Sequence, residues 1–119
     1  MTTQLNLNTL RSFVGNDPEL VEDILGAYIR FLPKSINAIK NALEIQSASA
    51  LLKELHQLKP NLENVGVCLS DGSFNELYGD VQISGITSDN QHLVLEVIQK
   101  TEDIIKLIND ELKKQSNES

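Results

Sequence analysis

Apolar residues recur at steps of three and four along most of this chain, the spacing that lays one hydrophobic stripe along a helix facing a core. The clearest stripe is Leu51, Leu55, Leu58, Leu62, Val65 and Leu69. With His56 set at zero and about 100° of rotation per residue, that stripe falls at about 180° to 260°. His56 is therefore predicted on the outer face, with Lys59, Leu52, Pro60, Glu63 and Val67 around it. The pattern predicts one helix from the connection at Gln46-Ser47-Ala48-Ser49, where a serine suits the cap, to about Leu69.

The rest of the chain reads the same way. Leu7, Leu10, Phe13 and Val14 predict a short leading helix stopped by Gly15. Asn16-Asp17-Pro18-Glu19 is a helix start, with Asp17 as cap, Pro18 in the first turn and Glu19 complementing the dipole. A long helix to about Ile45 carries the stripe Val21, Leu25, Tyr28, Leu32, Ile36, Ile39 and Leu43. Pro33 lies inside it and predicts a kink rather than a break. Leu20, Ile24 and Phe31 widen its apolar face. After Ser70-Asp71-Gly72, the residues Phe74, Leu77 and Tyr78 predict a short helix or a continuation. Residues 79–90 hold two glycines, and Val81, Ile83 and Ile86 make no strand, so this stretch is expected to be a loop. A last helix is predicted from about Ser88 to Lys114, with Val94, Ile98, Thr101, Ile105, Ile108 and Leu112 as its seam and Lys113 and Lys114 at its C-terminal end. Residues 1–6 and 115–119 are expected to be frayed. Four amphipathic segments with short connections imply an all-α fold, an antiparallel four-helix bundle with a short extra N-terminal helix, in a single domain over 1–119.

Composition narrows the possible partners. The 119 residues carry a formal net charge of −7, which disfavours nucleic acid and anionic membranes, since both call for a basic surface. No apolar run is long enough to span a bilayer, and Met1-Thr2-Thr3-Gln4 does not open a signal peptide. The single cysteine, Cys68, excludes an internal disulfide and reads as a small buried residue. A cytoplasmic protein is expected. With no Trp and few aromatics, Leu and Ile must build the core.

Several chemistries compete at His56. A surface histidine without a role is the plainest reading. Zinc needs three or four ligands in one place, and only His92, Cys68 and scattered carboxylates are on offer. Hydrolysis needs a nucleophile, a base and an orienting group together, and no such set surrounds His56. Phosphoryl acceptance fits better. A neutral imidazole, with an unperturbed pKa of roughly 6.5, is a competent nucleophile near pH 7. The transferred group needs in-line access and neutralisation of its equatorial oxygens. An outward His56 gives the access and Lys59, one turn on, gives the charge. Leu52 and Val67 flank the histidine as an apolar patch for a docking partner, and Gly66 leaves room for close approach.

The run His56-Gln57-Leu58-Lys59-Pro60, with Gly66 ten positions after the histidine, resembles the His-x-Leu-Lys-Gly signature of the histidine phosphotransfer (HPt) domain. The order of a short leading helix, an Asn-Asp-Pro-Glu-Leu start to a long helix, and then the histidine helix is similar to that family over most of the chain. The resemblance implies a four-helix bundle with an exposed histidine. It also implies a phosphoryl carrier, without catalytic activity of its own, that relays phosphate between aspartates of receiver domains. Its partners would be receiver domains of hybrid histidine kinases and response regulators. No cofactor is implied, magnesium being expected on the receiver, and a monomer is expected. By this resemblance His56 is the phosphoacceptor, Lys59 the charge-neutralising lysine, Gly66 the close-packing glycine and Leu58 a core position. The residues expected to form the docking surface around His56 are Leu52, Pro60, Glu63, Gly66 and Val67.

Two positions depart from the family pattern. Pro60 stands where most members have glycine and cannot donate to the carbonyl of His56, so a bend is expected at the site. Glu63 projects on the His56 side and would repel a phosphoryl group unless it pairs with Lys59. The rival reading is an interaction module: the same bundle docking on a receiver domain or histidine kinase without carrying phosphate.

Overall fold

The structure is a computed structural model that describes residues 7–15, 17–65 and 73–117. The expectations placed on residues 1–6, on Asn16, on the Phe13 side chain, on Gly66, Val67, Cys68, Leu69 and Ser70-Asp71-Gly72, and on residues 118–119 lie outside the described residues. What is described is all-helical: α1 Asn8–Phe13, α2 Pro18–Glu44, α3 Ala48–Asn64, α4 Ser73–Ser84 and α5 Ser88–Asn117.

The helix boundaries follow from local chemistry. Gly15 takes φ +66, the left-handed region that ends α1 at small cost only in glycine. Asp17 caps α2, its carboxylate accepting from the backbone N–H groups of Glu19 at 3.0 Å and Leu20 at 3.5 Å, with Pro18 in the first turn. Ser47 caps α3 by accepting from Ala50 N–H at 3.1 Å. Pro33 and Pro60 both sit inside continuous helices.

Long-range contacts order the helices. α2 packs on α3 and on α5, α3 packs on α4, and α4 packs on α5. The α2–α3 pair is antiparallel: their junction is a three-residue turn, and Asn64 at the end of α3 donates to the Tyr28 hydroxyl in the first half of α2 at 3.3 Å. One core cluster runs through the packing, with Leu25, Leu32, Ile39, Leu51, Leu55, Leu58, Ile104 and Ile108 fully enclosed. Each such side chain contributes about 1.5–3 kcal/mol relative to exposure, so the Leu and Ile core expected from composition carries the fold. Leu7, just before α1, and Leu10 within it join that cluster, and Arg11 pairs with Glu111 of α5 at 3.9 Å. Among the described residues no helix is long and apolar enough to cross a membrane.

Four expectations are corrected. Residues 79–90 are not a loop: α4 continues through Gly79 to Ser84, and only residues 85–87 separate it from α5. Phe74, Leu77 and Val81 are all buried, one helical stripe that runs past Gly79 and offsets the roughly 1 kcal/mol a mid-helix glycine costs. Gly85, at φ +71, is where the helix ends. Next, α3 ends at Asn64 rather than near Leu69. The Val65 N–H reaches back to Leu62 and Glu63, a tightened last turn, while its side chain stays buried. Third, the α5 seam is centred on Ile104, which is enclosed, with Ile105 and Leu112 at its edge. Finally, α5 extends through residues 115–117, which were expected to fray.

Candidate functional site

The site is built on α3. Leu51, Leu55, Leu58 and Leu62 are enclosed on its inner face, and His56 is exposed on the outer one. The placement argued from helical rotation therefore holds for His56. Pro60 and Glu63 are exposed on the same side, and Lys59 is half-buried at its edge. Leu52 is also half-buried and packs against the core cluster. It is an edge-of-core residue, less available for docking than a solvent-facing leucine would be. Gly66 and Val67 lie outside the described residues, so the docking surface assigned to them is not located here.

α4 forms the second wall. The His56 ring faces the ring of Tyr78, with centroids 6.3 Å apart and planes tilted by 47°. Lys59 leans the same way: its Nζ donates to Asn75 Oδ1 at 3.1 Å and stands 6.0 Å from the centroid of the Phe74 ring. The ring is at the outer limit of a cation–π contact and adds at most about 0.5–1 kcal/mol at such an exposed place. Phe74 is buried and Tyr78 half-buried against the core, so both rings are fixed by packing while His56 is free to meet solvent.

The pairing of Glu63 with Lys59 does not form. Both side chains are described, and no ion pair joins them; the Lys59 ammonium turns across to Asn75 instead. An ammonium has three donors, and one is taken by a neutral acceptor, leaving its charge undiminished. Pro60 has no N–H, so the carbonyl of His56 has no helical donor four residues on. On the next carbonyl, Asn61 Nδ2 donates to Gln57 O at 2.9 Å, a side chain supplementing the backbone bond where the proline disturbs the ladder.

A small apolar cleft lies between α3, α4 and α5, floored by Leu62, Phe74, Leu77 and Val97 with Glu96 and Lys100 among its lining. His56 is not among its lining residues, so the exposed imidazole stands outside this cleft. Asn75 and Tyr78 were not found from the sequence, because their contacts to α3 span many residues and depend on α4 being a helix that packs there.

Comparisons with protein-family models, with curated proteins and with solved structures found no match to this chain.

Proposed function

We propose that α2, α3, α4 and α5 close into an antiparallel four-helix bundle and that the chain is a histidine phosphotransfer protein. In this reading it receives a phosphoryl group on His56 from an aspartyl phosphate of one receiver domain and passes it to an aspartate of another. The observation that carries the reading is an exposed imidazole on a helix whose opposite face is fully enclosed, with an ammonium one turn on. In the forward step a ring nitrogen of His56 uses its lone pair to form the N–P bond. The P–O bond to the receiver's carboxylate breaks, and its electron pair leaves with the carboxylate. The ring's N–H proton is free to pass to water. Lys59 neutralises charge on the transferring oxygens. Receiver domains supply the magnesium and the remaining catalytic groups.

The test is incubation with a phosphorylated receiver domain. Acid-labile, alkali-stable label is expected on this chain and is expected to vanish in His56→Gln, with the far-UV circular dichroism unchanged because the side chain lies outside the core. Label retained by His56→Gln would remove the assignment, and receiver binding without any label would make the chain an interaction module.

A further inference from the structure

The Lys59–Asn75 contact joins α3 to α4 and ties down the cation one turn after His56. Lysine carries a long, flexible stem, and a free one spreads its ammonium over many rotamers. Here the Nζ is fastened at 3.1 Å to Asn75 Oδ1, with the buried Phe74 ring 6.0 Å from it. Asn75 is itself exposed, and its neighbours Phe74 and Leu77 are locked in the core. The amide is thus held by a rigid helix and not by its own burial.

Resting on the phosphotransfer reading, we infer that Asn75 is a positioning residue: it holds the Lys59 ammonium beside His56 through a neutral acceptor, so that the cation is in place and unneutralised when the phosphoryl group arrives. The neutrality is the decisive feature. A carboxylate at position 75 would hold Lys59 equally well but would cancel its charge and add a negative charge beside a dianionic group. An amide supplies the geometry without that penalty. Preorganisation of this kind acts on the transfer step, because the ordering of the lysine is already done before reaction.

The experiment uses the whole chain and phosphoramidate as a small phosphodonor. A His56 ring nitrogen forms the N–P bond, the donor's own P–N bond breaks, ammonia leaves, and the ring proton passes to the medium. Rates of label uptake are compared for wild type, Asn75→Ala, Asn75→Asp, Lys59→Ala and the Lys59→Ala/Asn75→Ala double variant. Asn75→Ala is expected to slow uptake by about three- to tenfold, the factor that goes with one lost positioning hydrogen bond. Asn75→Asp is expected to slow it more. In the Lys59→Ala background, Asn75→Ala is expected to change nothing further, a result that a merely structural role would not produce. Melting temperatures of the single variants are expected to stay near wild type. Additive effects of the two substitutions, or an Asn75→Asp rate equal to wild type, overturn the positioning role while leaving His56 as acceptor. A wild-type chain that takes no label from phosphoramidate or from a phosphorylated receiver overturns the phosphotransfer reading and this inference with it.

Discussion

The imidazole of His56 and the phenol ring of Tyr78 face each other between α3 and α4, 6.3 Å apart between centroids and tilted by 47°. That separation lies in the outer part of the range, about 4.5 to 7 Å, over which aromatic pairs attract. The contact is thus a weak restraint on a side chain that is otherwise exposed. It narrows the imidazole's rotamers without covering the ring. Tyr78→Phe keeps the ring and is expected to leave label uptake at the wild-type rate. Tyr78→Ala removes the restraint along with part of the core edge, and is expected to slow uptake severalfold and cost about 1–3 kcal/mol of stability. Urea unfolding and the phosphoramidate rate measure the two effects separately. A slow Tyr78→Phe variant would mean that the hydroxyl, not the ring, matters.

Leu52 shows how a residue beside the site can belong to the core. It is half-buried and packed on the cluster that includes Leu51 and Leu55. Leu52→Ala is expected to destabilise the protein by about 1–2 kcal/mol, below the range of about 2–5 kcal/mol for a fully enclosed leucine. Leu55→Ala is the comparison, at 0% exposure, and is expected in the upper range. Equal losses for both would mean that Leu52 is better enclosed than its partial burial indicates. Leu52→Asp lowers stability for the same reason, so receiver binding by that variant must be compared below its own unfolding transition.

The parts of the fold legible in the sequence are those where local chemistry and periodicity agree. Asp17-Pro18 and Ser47 begin helices as their side chains require, and the leucines of α3 place His56 outside without reference to any other helix. Residues 79–84 were misread because Gly79 argues locally against a helix. Val81 continues the spacing of Phe74 and Leu77, but burial against α3 and α5 supplies the compensation, and that is a tertiary term. The site was half legible for the same reason. His56, Lys59, Pro60 and Glu63 follow from one helix, whereas Asn75 and Tyr78 require knowing which edge of α4 meets α3. The short helix expected from Phe74, Leu77 and Tyr78 already contains Asn75 and Tyr78, and which of its edges meets α3 is decided by the packing of α4 on α3.

Pro60 is exposed in the interior of α3, four residues after His56. A helix-interior proline costs about 3 kcal/mol through its missing N–H and its clash with the preceding turn, while restricting the unfolded chain returns part of that. Pro60→Ala is expected to restore the bond to the His56 carbonyl and raise stability by about 1–2 kcal/mol. For a chain of 119 residues that corresponds to about 4 °C in melting temperature per kcal/mol. A melting temperature equal to or below wild type would show that α3 is already relaxed around the proline.

The junction of α4 and α5 rests on Asn90, which is 1% exposed, donates both amide hydrogens and accepts at Oδ1. Its Nδ2 donates to Asp80 Oδ2 at 2.9 Å and to the Gly85 carbonyl at 2.7 Å. Its Oδ1 accepts from Thr87 N–H at 2.8 Å, and its own N–H donates to Thr87 Oγ1 at 3.2 Å. The last two bonds form a reciprocal cap at the start of α5, with asparagine in the place usually held by Glu or Gln. Asn90→Ala leaves the Gly85 carbonyl and the Thr87 N–H without these partners, and is expected to cost about 1–3 kcal/mol. Asn90→Asp is expected to cost more at neutral pH. It replaces the donor by a carboxylate oxygen aimed at the Asp80 carboxylate and at a carbonyl. Asp80→Asn added to Asn90→Asp is then expected to recover part of the loss, because the amide at position 80 can donate where two acceptors had met. Urea midpoints of the four proteins decide the matter. If Asn90→Asp matched wild type, the amide nitrogen would have no share in holding α4 against α5.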